Sequence, residues 1–151
     1  PSQQHENRAR FAPMTSFANT PYWTDLNDLT NMVPMPPLLR LDAWLRLEKS
    51  LKTLLSLQDE LYFITGPLFL VTGALSANSA ASEVNPAAYF KVAVDESGYA
   101  AFVFREDLEQ SALYCDHRIP LDQIEQISGL VLLPDIRNNQ SSSLQAKPGC
   151  H

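Results

Sequence analysis

Residues 31–67 read NMVPMPPLLRLDAWLRLEKSLKTLLSLQDELYFITGP and carry the clearest secondary-structure pattern of the chain. Apolar residues recur there at the three-to-four spacing of an amphipathic helix, at Leu41, Trp44, Leu45, Leu51, Leu54 and Leu55. The run at residues 60–65 is short, apolar and β-branched, and Gly66-Pro67 is expected to stop it. The stretch therefore predicts one long helix that leads into a strand.

Three further elements follow from local patterns on the C-terminal side of this stretch. Two strands are predicted near Ala88–Val94 and Tyr99–Phe104, joined by a hairpin connection at residues 95–98 that ends in Gly98. A short helix is predicted over Leu121–Ile127, opened by Pro120 and ended by Gly129. Helices and hairpin strands in this order predict the α+β class.

The remaining segments are polar or low in complexity. Residues 74–84 are rich in Ala and Ser and predict a loop, while residues 1–10 and 137–151 have the composition of polar ends outside the core. The chain has 151 residues, of which 45% are hydrophobic, and this is enough for one domain with a core. We expect a domain over residues 7–136, an N-terminal extension over 1–10 and a C-terminal tail over 137–151.

The charge balance restricts the partners that the chain can have. The net charge is -6 and the pI is near 4.9, which disfavours a surface that binds nucleic acid everywhere. Residues 1–52 hold six basic and five acidic residues, so this third of the chain is the less acidic one. Any binding of nucleic acid must therefore depend on a local patch.

The cysteine, histidine and hydropathy patterns give little indication of function. Cys115 and Cys150 are far apart and form no metal-binding spacing, which favours a reduced compartment. His5, His117 and His151 are dispersed and are interpreted as surface residues, although a register slip could give His5 a catalytic role. No apolar run reaches the roughly 18 residues of a spanning helix. The sequence begins with Pro1, so a targeting peptide would not be visible in it.

Six stretches occur in an order that points to a known family. They are NRARFAP at 7–13, NMVPM at 31–35, the set Arg40, Trp44 and Glu48, YFITGPLFL at 62–70, and PAAYFKV at 86–92, followed by ISGLVLLPDI at 127–136. Together they resemble the DNA/RNA non-specific endonucleases of the ββα-metal group, and within it the mitochondrial endonuclease G group. The resemblance implies a ββα-metal endonuclease fold, with a mixed or antiparallel sheet and a long helix that carries the site.

The resemblance also implies that two chemical groups are replaced. Arg10 stands where the family has the histidine that acts as general base, and Arg40 stands where it has the asparagine that binds magnesium. Arginine, with a pKa above about 12, cannot act as a base near neutral pH, and it offers a metal no acceptor atom. Asn7, Ala9 and Ala88 replace a family aspartate, glycine and histidine, in that order.

Four positions of the family pattern are retained. They are Arg8, Asn31, Trp44 and Glu48, and spacings of four and eight residues place Arg40, Trp44 and Glu48 on one helix face. In the absence of a metal, Arg40 or Arg10 is expected to pair with Glu48. The alternative is a phosphate site formed by Arg8, Arg10 and Arg40, with Asn31 and Trp44 also contacting the ligand. Packing remains the other interpretation of Trp44.

These departures predict a catalytically degenerate, endonuclease G-like domain that serves as a structural or interaction subunit. Its partners would be other protein subunits, by resemblance in a mitochondrial assembly, and no cofactor is expected. The alternatives are an active magnesium-dependent endonuclease with an unidentified base, and a non-catalytic phosphate or nucleotide binder. The family has strands ahead of the stretch at 7–13, so either the sequence is a piece of a longer chain or a partner covers an exposed edge.

Overall fold

The computed structural model describes residues 8–57, 60–69, 85–135 and 144. The strands are β1 (Arg8–Arg10), β2 (Met32–Pro34), β3 (Tyr62–Leu68), β4 (Ala88–Asp95) and β5 (Gly98–Arg105). The helices are α1 (Met14–Phe17), α2 (Pro37–Leu41), α3 (Ala43–Leu55) and α4 (Leu121–Ser128). Short 3-10 helices span Asp25–Asn27, Leu29–Asn31 and Tyr114–His117. The combination confirms the α+β class.

Two antiparallel sheets organise these elements. β1 pairs with β2 in a ribbon, and β3, β4 and β5 form a three-stranded sheet in that order. The predicted hairpin between β4 and β5 is confirmed, with Asp95 paired to Gly98. The carboxylate of Asp95 accepts hydrogen bonds from the backbone N–H groups of Ser97 and Gly98, and Gly98 has a φ of 149°. Glycine adopts this conformation without the strain that a Cβ would bring.

Helices cover both faces of the three-stranded sheet. The α3 face of the sheet carries Tyr89, Phe102 and Phe104, which form one core cluster with Trp44 and Leu47. The opposite face carries a second cluster, formed by Leu68, Ala88, Phe90, Val92, Val94, Tyr99, Ala101, Leu121 and Ile124. Side chains alternate between the two faces along each strand, which is why β4 is apolar nearly throughout.

The strand predicted to stop at Gly66-Pro67 continues through both residues to Leu68. Proline has no N–H, but β3 lies at the edge of the sheet, where one residue in two directs its N–H away from the neighbouring strand. Gly66 is required by packing, because a Cβ there would lie 2.7 Å from an atom of the Phe90 ring. The prediction was wrong because both effects depend on a strand distant in sequence.

The single helix predicted to carry Arg40, Trp44 and Glu48 is divided in two at Asp42. Asp42 has φ -123° and ψ -99°, outside the helical region, so Arg40 lies on α2 while Trp44 and Glu48 lie on α3. The Asp42 carboxylate accepts a hydrogen bond from the N–H of Ser111 and lies 3.0 Å from Nε of Arg46. These contacts hold Asp42 outside helical geometry, and the prediction that all three side chains share one helix face was wrong.

α4 confirms the predicted short helix, since it begins after Pro120 and ends at Gly129 in a left-handed conformation. Leu144 belongs to the segment predicted to be a polar tail, but it is buried in the cluster that contains Trp44. The predicted loop at 74–84 and residues 1–7 lie outside the described residues. In the described part of the chain, no helix has the length and apolar character needed to cross a membrane.

Cys115 is disulfide-bonded, which corrects the prediction of a reduced compartment. The other cysteine of the sequence, Cys150, lies outside the described residues. The sequence pattern around Cys115 contained no signal for this bond. Disulfides persist in oxidising compartments.

Candidate functional site

Glu48 lies at the centre of a polar cluster built on α3 and β4. Trp44, one turn earlier on α3, donates a hydrogen bond from Nε1 to Oε1 of Glu48 at 3.0 Å. Nζ of Lys91 on β4 donates to the same oxygen at 3.0 Å and lies 4.7 Å from the centre of the Trp44 ring. Glu48 therefore pairs with Lys91, and the predicted pairing with Arg10 or Arg40 is wrong.

Lys91 is buried to an unusual degree for a lysine, with 2% of its surface exposed. Burial lowers the pKa of its ammonium group, while the neighbouring Glu48 opposes this change by favouring the charged form. The Trp44 indole and the Lys91 ammonium group both donate to Oε1 of Glu48 and hold its carboxylate in place. The cluster connects α3 to β4.

Trp44 is 2% exposed and makes edge-on ring contacts with Tyr89 and Phe104. Its indole N–H is already bonded to Glu48. The side chain consequently has no open face on which a nucleotide base could stack, and the packing interpretation is confirmed.

Asn31 holds the chain that follows β1. Its side-chain oxygen accepts a hydrogen bond from the N–H of Ala12 at 2.9 Å, and its Nδ2 donates to the carbonyls of Ala12 at 3.2 Å and Leu26 at 2.9 Å. These three bonds engage both the oxygen and the nitrogen of the side-chain amide. Asn31 lies at the end of a 3-10 helix directly before β2, so the bonds fix the approach of two segments 19 residues apart.

Arg8 and Arg10 alternate with the buried Ala9 on β1 and therefore lie on the same face of the ribbon. Nη2 of Arg10 donates a hydrogen bond to Oδ1 of Asn27 at 2.7 Å. Nε of Arg10 is buried and has no hydrogen-bond partner in the described part of the chain. The guanidinium group is thus held toward the segment at 25–27.

The residues at the expected metal position do not fit a magnesium ion. Magnesium requires oxygen ligands in near-octahedral geometry, whereas Arg40 supplies only donors and a positive charge. Oε1 of Glu48 already accepts two hydrogen bonds. Across residues 8–57, 60–69, 85–135 and 144, no group of three or more His, Cys, Asp or Glu side chains could hold a metal ion.

A cleft of about 520 Å³ opens beside the Glu48 cluster. Glu48, Lys91 and Asn31 line its polar end together with Lys52, which follows Glu48 by one helical turn. The remaining walls are mainly apolar, formed by Phe11, Ala12, Pro13, Phe17, Leu51, Leu55, Leu61 and Phe63, with Ser16, Tyr62 and Thr65 between them.

The cleft separates the predicted site residues into two groups. Asn31 and Glu48 line it, whereas Arg8, Arg10, Arg40 and Trp44 do not. Sequence reasoning missed Lys91 and Lys52. The spacing of four residues between Glu48 and Lys52 could have indicated the second, but no local signal connects Lys91 to a carboxylate 43 residues away.

Most of the chain matches a known protein family. Residues 10–139 match the family model described as DNA/RNA non-specific endonuclease. The chain is 33% identical to a nuclease of Serratia marcescens over 95% of this chain and 56% of that protein. It is 29% and 30% identical to mitochondrial endonuclease G of Bos taurus and Homo sapiens, over 72% of this chain and 41% of each. The chain spans about half the length of these relatives.

Proposed function

Because the chain belongs to the DNA/RNA non-specific endonuclease family, we propose that it is a domain that has lost hydrolysis and serves as an interaction subunit. The observation that carries the proposal is Arg10, which stands in the position of the general base with its guanidinium group bonded to Asn27. Loss of the base would leave the fold intact, since Arg10 lies on a strand at the periphery of the core.

Hydrolysis of a phosphodiester needs a base that takes a proton from water and a cation that stabilises the charge on the phosphate. Histidine performs the first role in many enzymes because its pKa is about 6.5, whereas an arginine stays protonated. A divalent cation would supply the second, but Arg40 places a fixed positive charge at the expected position. The residues present therefore provide neither the base nor a binding position for the cation.

The retained carboxylate has a structural role in this proposal. Glu48 is held by Trp44 and Lys91 within the core, and removal of a partner would leave a buried charge. Retention of Glu48 therefore follows from the stability of the domain, and it does not require that the chain cleaves nucleic acid.

The proposal also includes a cellular location. The two endonuclease G relatives are named as mitochondrial proteins, which supports a mitochondrial assembly. The disulfide of Cys115 restricts that location to a compartment in which disulfides persist. The protein partners would share this compartment.

Binding of phosphate without cleavage is the second candidate function. Arg8 and Arg10 lie on one face of β1, two residues apart, and guanidinium groups form bidentate hydrogen bonds with phosphate. The overall charge of -6 favours a short ligand, such as a nucleotide, over a long nucleic acid.

Cleavage of plasmid DNA and of RNA, with magnesium or manganese, tests the first proposal. We expect no cleavage by the native chain and weak cleavage by an Arg10→His/Arg40→Asn variant. An Arg105→His/Lys49→Asn variant introduces His and Asn in place of two other basic residues, both exposed, and should remain inactive. Cleavage by the native chain that EDTA and Glu48→Ala both abolish would establish an active nuclease with another base, and would overturn the proposal.

A further inference from the structure

Three hydrogen bonds join the segment at 111–118 to α3 and its N-cap. The N–H of Ser111 donates to the carboxylate of Asp42, Nη2 of Arg46 donates to the carbonyl of Ala112, and the hydroxyl of Tyr114 donates to Oγ of Ser50. The three positions on the helix side are spaced by four residues, so they lie along one side of α3. The segment therefore follows this side of the helix up to Cys115.

Aromatic contacts hold the same segment against the sheet. Cys115 lies in the 3-10 helix of the segment. The ring centres of Tyr114 and Phe102 are 6.2 Å apart, and those of His117 and Phe104 are 5.7 Å apart. Both phenylalanines belong to the core cluster on the α3 face of the sheet. Cys115 is thus held between α3 and β5.

Leu144 belongs to the same core cluster. Its side chain is 4% exposed, and the cluster that contains it also contains Phe102 and Phe104. In the sequence, Leu144 is the only large aliphatic residue of the polar stretch at 137–151, and it precedes Cys150 by six residues. One leucine buries little apolar surface. A second link would therefore contribute strongly to holding this residue in the core.

We propose that Cys115 forms its disulfide with Cys150, and that this bond is a redox-controlled latch for Leu144. Cys115 is disulfide-bonded, and Cys150 is the other cysteine of the sequence. The cross-link keeps Leu144 near the cluster and reduces the conformational freedom that is lost when the residue packs there. Reduction releases Leu144 while the sheet and α3 remain folded. The latch goes beyond the interaction role proposed above and does not depend on it.

Reduction of the latch requires a dithiol, which supplies two electrons and two protons. One thiolate of the dithiol attacks a sulfur of the protein disulfide, and the second thiol of the dithiol resolves the mixed disulfide. The products are the thiols of Cys115 and Cys150 and the cyclic disulfide of the reductant. In the described part of the chain, Cys115 is partly exposed and its neighbours Leu113 and Asp116 are exposed. A reductant can therefore approach the bond in the folded domain.

Peptide mapping under non-reducing conditions tests the pairing. Tryptic cleavage at arginine places each cysteine on its own peptide, one spanning 106–118 and the other 138–151. We expect the two peptides to be joined and to separate after addition of dithiothreitol. Free thiols in the purified chain, or a peptide 106–118 joined to a second copy of itself, would overturn the pairing.

Amide hydrogen exchange of the 15N-labelled chain tests the latch, with dithiothreitol as the reductant and at a temperature well below the Tm. Reduction should accelerate exchange at the amide of Leu144 by at least tenfold. Exchange at Val92, which is fully buried in β4, should stay unchanged, so this amide distinguishes local release from unfolding of the domain. Reoxidation with glutathione disulfide should restore slow exchange at Leu144.

Three variants separate the bond from the packing of Leu144. Cys150→Ser removes the bond and should give fast exchange at Leu144 with or without dithiothreitol. Leu144→Ser keeps the bond and removes the packed side chain, so reduction should lower its Tm by less than half as much as that of the native chain. Leu130→Ser changes an exposed leucine and should retain the full decrease in Tm on reduction.

Three results would overturn the latch. Complete reduction without faster exchange at Leu144 would show that packing alone holds this residue. Equal acceleration at Leu144 and Val92 would show that reduction unfolds the whole domain. A bond that dithiothreitol reduces only above the Tm would be a permanent cross-link. None of these measurements depends on hydrolysis, so cleavage of DNA by the native chain would overturn the proposed loss of activity and leave the latch unaffected.

Discussion

Glu48 and Arg10 occupy two parts of one candidate site, and the fold holds them in different ways. Glu48 is bonded to Trp44 and Lys91 between a long helix and the central strand of the sheet. Arg10 lies on a three-residue strand, and its described side-chain bond goes to the exposed segment at Asn27. The difference indicates that a substitution at Glu48 would disturb the contact between α3 and β4, whereas a substitution at Arg10 would disturb only a peripheral contact.

The largest effect should come from removing Lys91. Lys91→Met leaves the partly exposed Glu48 without its counter-charge, and the loss should approach the about 3–5 kcal/mol of a broken buried ion pair. In urea denaturation, this loss appears as a lower urea concentration at the midpoint of unfolding. Lys49→Met, one residue along α3 from Glu48 but exposed, should leave the midpoint unchanged.

A double variant distinguishes loss of the pair from loss of packing. Lys91→Met/Glu48→Gln removes both charges, so it should recover part of the stability that Lys91→Met loses. A loss below about 1 kcal/mol for Lys91→Met would show that the cluster tolerates an unpaired carboxylate, and the contrast with Arg10 would then fail.

The next effect concerns Asn31, which lines the cleft with Glu48 and bonds to the chain that follows β1. Asn31→Ala removes the bonds to Ala12 and Leu26, and partly buried backbone groups left without a partner cost about 1–3 kcal/mol. Urea denaturation measures the loss of stability, and a faster exchange of the Ala12 amide reports the loss of its hydrogen bond. Asn19→Ala, at an exposed position, serves as the control, and equal losses for the two variants would contradict a structural role for Asn31.

How much of this arrangement could be predicted depends on how local its cause is. Pro120 and Gly129 determine the ends of α4, and Gly98 determines the hairpin, so sequence reasoning located both. The interruption at Asp42 depends on Ser111, which is 69 residues away, and no helical pattern reports such a contact.

The candidate site follows the same rule. The positions of Glu48 and Arg10 were recognised from motifs, because motifs preserve order along the chain. The pairing of Glu48 with Lys91 and the shape of the cleft were not recognised, since both arise where β3 and β4 approach α3. Resemblance therefore predicted candidate site residues, and the fold determined which of them meet.

A smaller effect is expected at Tyr89, whose hydroxyl donates to the carbonyl of Pro34 and connects the sheet to β2. Burial, and secondarily the charge of Glu106, raises the pKa of Tyr89 from 10.0 to about 12. The folded state keeps this proton where the unfolded chain loses it, so the contribution is complete below pH 10 and is lost as the pH rises toward 12.

Tyr89→Phe should cost about 1 kcal/mol at neutral pH, the typical value of one hydrogen bond, and should make stability less dependent on alkaline pH. Urea midpoints at pH 8, 10 and 11 for the native and variant chains measure the difference. Tyr22→Phe at an exposed position controls for the loss of a tyrosine. Identical alkaline profiles for native chain and Tyr89→Phe would exclude Tyr89 as the group that titrates.

The smallest effect should come from Arg10, which completes the comparison with Glu48. Arg10→Met keeps most of the aliphatic stem and removes an exposed hydrogen bond to Asn27, so the free energy of unfolding should fall by about 0.5–1 kcal/mol. Asn27→Ala removes the same bond from the other side and should give an equal loss, and the double variant should lose no more than either single variant. A loss at Arg10 as large as that at Lys91 would show that the guanidinium group is part of the core. In that case the guanidinium group would have a structural role, and Arg10→His would be expected to destabilise the domain.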